Sequence, residues 1–128
     1  MTIYLAGVFE TRARLRPIRD AMRALGHTVT ASWLNEPDGA TPSLLGSECL
    51  DIARRDMAEI GVADRLYVDT LDEAPRGGRE FEAGYASCLR VSPTIVIVGP
   101  RRNVFHWLFP QYPSWTEALA ALKPESTA

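Results

Sequence analysis

A chain of 128 residues with a net charge of −2 is the size of one domain around one core, since domains cluster near ~100–150 residues. Its 46% hydrophobic and 23% charged residues are the balance of a soluble globular protein. That charge leaves no basic footprint for a nucleic-acid polymer, so a small, roughly neutral ligand fits it better.

The chain opens with Met1-Thr2-Ile3-Tyr4-Leu5, which carries neither a basic leader nor a long apolar stretch. A cytoplasmic protein with no membrane partner is expected. Ile3–Ala6 is a short apolar run stopped by Gly7 and predicts a buried strand. Arg12–Leu25 sets Leu15, Ile18, Met22 and Leu25 at helical spacing, with Gly26 as the C-cap. Thr28–Trp33 is β-branched and alternating, which predicts the second strand. Asn35–Pro42 holds two prolines and a glycine and predicts a loop, after which Ser43 caps a long helix reaching about Ile60.

Arg65–Val68 predicts strand three. A loop with Asp72, Pro75, Gly77 and Gly78 leads into a helix over about Arg79–Leu89. Thr94–Val98 predicts strand four, unbroken in apolar character as in a sheet covered on both faces. Beyond Pro100 come a short helical piece near Val104–Leu108, a last strand around Tyr112, a helix over Thr116–Leu122 and a frayed tail from Lys123 to Ala128. Strand and helix alternate throughout, without an internal repeat or a dividing linker. The expectation is one α/β domain over residues 1–128, a flavodoxin-like or Rossmann-like three-layer sandwich. Its parallel sheet should have about five strands in the order 2-1-3-4-5, with the ligand at the carboxyl ends of the strands.

Cys49 and Cys88 are far apart and match no metal-ligand spacing, so each is expected as a reduced core residue. His27 and His106 stand isolated. Neither a metal nor any other cofactor is expected.

Two acids fall where a helix should be apolar. Ile52, Asp56 and Ile60 are spaced i, i+4, i+8, so Asp56 shares a stripe with two isoleucines. Burying a carboxylate there is costly unless it is hydrogen-bonded, paired or catalytic. Pairing with an arginine is the bland explanation, although the adjacent Arg54 and Arg55 read as solvated. Glu82 repeats the anomaly in the stripe of Tyr85 and Leu89, among the small neighbours Gly78, Gly84 and Ala86. A first-turn position would keep it ionised through the helix dipole, as a nucleophile requires. The bland reading is a helix-start acid, a role that suits Glu80 better.

Asp69 at the end of strand three suggests a phospho-accepting receiver, but the turn after strand one is Ala6-Gly7-Val8-Phe9 rather than an acidic pair. Neither a Walker-type phosphate loop nor a G-x-G-x-x-G fingerprint occurs.

At these residues the sequence resembles the nucleoside 2-deoxyribosyltransferase family and its relatives, the 2′-deoxynucleoside 5′-monophosphate N-glycosidases. Thr2-Ile3-Tyr4-Leu5-Ala6-Gly7-Val8-Phe9 resembles the family's first strand and turn, where a tyrosine lies near the sugar. Arg55-Asp56-Met57 falls where the family has an aspartate serving proton transfer to the base. Glu82-Ala83-Gly84-Tyr85-Ala86 is similar to the segment whose glutamate attacks the anomeric carbon. Asn103-Val104-Phe105-His106-Trp107 is similar to one that sends an asparagine into the neighbouring subunit's site.

The resemblance implies Glu82, Asp56 and Tyr4 as catalytic residues. It further implies substrate contacts from Gly7, Val8, Phe9, Asn103 and His106, with a nucleoside or nucleotide as ligand. By position, Trp33 at the end of strand two is expected to stack on the base, Arg76 to read a carbonyl or phosphate, and Gly77 and Gly78 to let their loop close over the ligand. Tyr4 and Trp33 each have a core alternative, as a strand aromatic and as a packing tryptophan. A neighbour's asparagine requires at least a homodimer, and the aromatic-rich Phe105, Trp107, Leu108 and Phe109 suit either an interface or the core under the last helix.

Two departures qualify the substrate. The monophosphate hydrolases hold phosphate with a serine and an arginine in the first turn. Here that turn is Val8-Phe9-Glu10, and Glu10 repels a phosphate unless Arg12 and Arg14 compensate. Many transferases place an acid six residues before the nucleophile, where this chain has Arg76. The expected activity is therefore nucleoside deoxyribosyl transfer. Hydrolysis of nucleosides or monophosphates by the same two carboxylates, and a non-catalytic nucleotide-binding module, are the alternatives.

Overall fold

The computed structural model describes residues 1–37, 46–73 and 76–126. Five parallel strands form one sheet in the order β2-β1-β3-β4-β5, as the sequence predicts: β1 (Thr2–Ala6), β2 (Thr28–Val29), β3 (Arg65–Asp69), β4 (Thr94–Val98) and β5 (Gln111–Tyr112). Three helices connect strands, α1 (Arg12–Ala24), α2 (Gly46–Gly61) and α3 (Gly78–Ser87), and a fourth, α4 (Trp115–Ala121), follows β5. The central strands pair in register, with Tyr4 beside Leu66 and Leu66 beside Ile95. All four residues Ile3–Ala6 are fully buried, because β1 lies mid-sheet with cover on both faces.

Several local expectations change. Strand two is only Thr28–Val29, and the chain then folds into a 3-10 helix, Ser32–Asn35. Thr28–Trp33 alternates correctly for a strand, but an edge strand has a partner on one side only. Pairing ends once the Thr30 N–H has reached the Ile3 carbonyl at 3.1 Å. Helix α4 begins one residue earlier than expected, since the Ser114 side chain caps it by accepting the Glu117 N–H.

The described part of the tail is anchored rather than frayed. The Glu125 N–H donates to the Leu25 carbonyl at 2.8 Å, and His27 bonds the Lys123 carbonyl at 2.8 Å. His27 is thus a buried, bonded residue rather than an isolated one. The cysteines form no disulfide with each other and lie outside the core, Cys49 half-buried and Cys88 exposed at the end of α3. The Ser43 cap, Pro75 and the last two residues of the tail lie outside the described residues. No helix among the described residues is long and apolar enough to cross a membrane, and no cluster of metal-ligating side chains occurs among them.

Candidate active site

Parallel strands end their carboxyl termini on one edge, so the segments after β1, β3 and β4 meet there. Gly7 ends β1 where a side chain would be tight. A Cβ would lie 3.0 Å from Leu15 Cδ1, 3.5 Å from Asp69 Cβ and 3.6 Å from the Trp33 ring. The chain then turns through a 3-10 helix, Phe9–Thr11, and the Arg12 guanidinium stacks 3.5 Å from the centre of the Phe9 ring. Val8 accepts the Thr11 N–H at 2.9 Å, which closes the turn.

Tyr4, Asp56 and Glu82 meet from β1, α2 and α3. The Tyr4 hydroxyl is completely buried, and its pKa is raised first by burial and then by the charges of Glu82 and Asp56. Glu82 is pushed up to about 8, first by burial and then by Asp56 and Glu59, against a lowering influence of Tyr4. Asp56 is raised by burial, opposed by Arg55, which approaches it at 3.3 Å. Among the described residues, neither Tyr4 Oη nor Glu82 Oε2 completes a hydrogen bond, although both are sealed from solvent.

This corrects the expectation that the helix dipole keeps Glu82 ionised. Glu82 is the fifth residue of α3, and the dipole's influence fades beyond the first turn. Desolvation wins at that depth. The stripe itself stands as expected, since Tyr85 and Leu89 pack against the core. Gly78 and Gly84 are exposed, with nothing within 4 Å of where a Cβ would lie, so they make no close approach in the folded chain. Gly77, just before α3, has φ +76°, a left-handed conformation that favours glycine.

The remaining candidates fall into separate groups. Arg76 pairs with Glu10 at 2.8 Å, joining the turn after β1 to the approach to α3. Trp33 is core: it is buried, and its indole N–H donates to the Leu5 carbonyl at 2.8 Å. Asn103 is turned inward. Its Oδ1 accepts the Phe105 and His106 N–H groups and caps the 3-10 helix Val104–Leu108, while its amide donates to Glu80 Oε2 at 3.2 Å. His106 Nδ1 accepts the Arg102 N–H at 2.9 Å, which leaves Nε2 to donate to Glu80 Oε2 at 2.8 Å.

Glu80 is therefore not a solvated helix-start acid. Burial pushes its pKa up, but hydrogen bonds from Arg79 and His106 outweigh that and hold it low. Val104, Phe105, Trp107 and Leu108 are each about 70% exposed, whereas Phe109 packs against the core.

Four polar groups take roles that the sequence reading did not give them. Arg79, buried, donates to the Asp69 and Asp72 carbonyls. Asp69 is a buried hub that accepts from Arg14 at 2.9 Å, from the Leu71 N–H at 3.0 Å and from the Trp115 indole at 2.7 Å. Arg55 is half-buried, approaching Asp56, Glu59 and Glu36 rather than lying solvated. Glu59 sits three residues beyond Asp56 and bonds Ser32. Its i+3 spacing from Asp56 on α2 was the available signal.

No protein-family model and no curated protein matches the chain. Among solved structures, a 2-deoxyribosyltransferase from the psychrotolerant bacterium Bacillus psychrosaccharolyticus is similar over 98% of this chain and 100% of that one, with a TM-score of 0.69 and 19% identity. That enzyme is described as a biocatalyst for the synthesis of nucleosides. At that identity the likeness is one of fold, and function rests on the site.

Proposed function

We propose that this chain cleaves the N-glycosidic bond of deoxynucleosides and transfers the sugar, through a covalent glycosyl-enzyme on Glu82 with Asp56 as proton donor. The observation that carries the reading is the convergence of two carboxyls with raised pKa values and a buried tyrosine hydroxyl at the carboxyl edge of the sheet. Carboxyl groups that disfavour ionisation together hold a shared proton, and the productive form has it on Asp56 with Glu82 ionised.

In the first half-reaction a Glu82 oxygen forms a bond to C1′ as the C1′–N bond breaks. The electron pair leaves with the base nitrogen, which takes the proton from Asp56. In the second, an incoming base attacks C1′, returns its proton to Asp56 and releases the Glu82 carboxylate. Water in place of the base gives hydrolysis. Glu82 Oε2 is sealed from solvent, which favours transfer by keeping water from the glycosyl-enzyme.

Free nucleosides suit the site better than monophosphates. Arg12 is occupied by the Phe9, Glu36 and Pro37 carbonyls, and Arg14 by Asp69 and Asp72, so neither stands ready to offset the repulsion from Glu10. The exposed Val104, Phe105, Trp107 and Leu108 support a homo-oligomer, since large apolar side chains cluster at interfaces.

The test incubates the protein with each deoxynucleoside, with and without a second free base, and separates the products by chromatography. Exchanged nucleoside that vanishes in Glu82→Ala is the expected result. Free base and sugar alone would make the chain a hydrolase, and monophosphates would then be tried. Ligand-induced stabilisation without product would leave a binding module.

A further inference from the structure

The 3-10 helix Ser32–Asn35 lacks a cap of its own. Ala31 precedes it without a side-chain oxygen, so its first N–H groups need an acceptor from elsewhere. The acceptor comes from α2. Both Glu59 oxygens lie within reach of the Ser32 N–H, at 3.1 and 3.3 Å, and Oε2 also accepts the Ser32 hydroxyl at 3.0 Å. The Glu59 side chain is only 14% exposed, so this is a desolvated carboxylate committed to one turn.

What that turn carries connects it to the reacting groups. Trp33 follows Ser32, its indole holds the Leu5 carbonyl, and its ring packs where Gly7 has no side chain. Leu5 follows Tyr4 on β1. On α2, Glu59 lies one turn from Asp56, and Arg55 approaches both, at 3.7 and 3.3 Å. The same carboxylate that seats the turn therefore shares a guanidinium with the proposed proton donor, and its charge reaches Tyr4 and Glu82.

We propose that Glu59 is a positioning residue of this site, capping the Trp33 turn from α2 and thereby fixing the Tyr4–Gly7 segment against Asp56 and Glu82. The proposal rests on the catalytic reading of Asp56 and Glu82 given above.

The test compares Glu59→Ala, Glu59→Gln and Ser32→Ala with the unaltered chain in two measurements. Hydrogen-exchange protection of the Trp33 indole N–H, assigned by NMR with Trp33→Phe, needs no substrate. Base-exchange kinetics supply kcat and kcat/KM. Glu59→Ala is expected to lower indole protection and kcat/KM by roughly tenfold or more each, the scale of a lost charged hydrogen-bond pair. Glu59→Gln keeps an acceptor oxygen and is expected to restore most of both, while Ser32→Ala keeps the N–H and falls between. Unchanged protection in Glu59→Ala overturns the proposal, as does lost protection with kcat/KM intact. Should Glu59→Ala fail to fold, Ser32→Ala decides, and its equality with the unaltered chain in both measurements overturns the proposal. An unaltered chain that exchanges no base sinks the catalytic reading and this proposal together. Normal exchange with an indifferent Glu59→Ala sinks this proposal alone.

Discussion

Replacing Glu82 by glutamine should stabilise the protein, and by an amount that grows with pH. In the folded chain Glu82 holds its proton up to about pH 8, whereas its ordinary value is 4.5. Unfolding therefore releases a proton between those two values. Stability falls as pH rises through that window, because the unfolded state binds fewer protons there. The gap converts at about 1.4 kcal/mol per pH unit to on the order of 5 kcal/mol in full, and to roughly 3–4 kcal/mol between pH 5 and pH 8. Glutamine has the shape of the neutral acid and nothing to ionise, so this loss disappears from the variant. The comparison cancels the contributions of Asp56 and Glu59, which both proteins retain.

Urea denaturation of the two proteins at pH 5, 6.5 and 8 reads the difference directly. Against a typical stability of about 5–15 kcal/mol, the effect at pH 8 is easily resolved. A stability difference constant within about 0.5 kcal/mol across the three pH values would refute the claim that burial governs Glu82. A variant that is more stable and inactive is the outcome expected of a site residue held in an unfavourable environment for its chemistry.

The rate should follow the shared proton: kcat/KM for base exchange is expected to hold level while Asp56 and Glu82 keep one proton between them and to fall about tenfold per pH unit above about pH 8, where that proton is lost. A rate that goes on rising above pH 8 would mean that turnover does not need the proton on Asp56. Glu10→Gln frees Arg76 and removes a repulsive charge, so the ratio of kcat/KM for deoxynucleoside monophosphates over nucleosides should climb by about tenfold. No change in that ratio would mean that Glu10 does not face the 5′ position. Trp115→Phe leaves Asp69 Oδ2 without its buried indole donor and should cost about 1–3 kcal/mol in chemical denaturation. Asn103→Ala removes the cap of the Val104–Leu108 helix and one Glu80 donor, for a loss of about 1–2 kcal/mol in the same assay.

The alternation of apolar runs with helical stripes determined the sheet, its order and its helices, because both periodicities are local properties of the chain. It also singled out Asp56 and Glu82, since a carboxylate in an apolar stripe conflicts with its own neighbours. Those are one-dimensional signals. The protonation of Glu82 is not one. It depends on how deeply α3 sinks against β1 and on Asp56 and Glu59 arriving from α2, and those distances exist only after packing.

The same holds for the charged residues that sequence assigned to solvent. Arg55 and Glu80 look like ordinary surface groups until folding gathers their partners from other segments, Glu36 for the one and His106 for the other. Strand two shows the reverse case. Its β-branched alternation is genuine, but an edge position supplies one neighbour, and the chain leaves the ladder to seat Trp33 under Gly7. Pattern chose the elements and flagged the acids. Tertiary contact decided which charges pair, which stay buried, and therefore which proton state the site begins from.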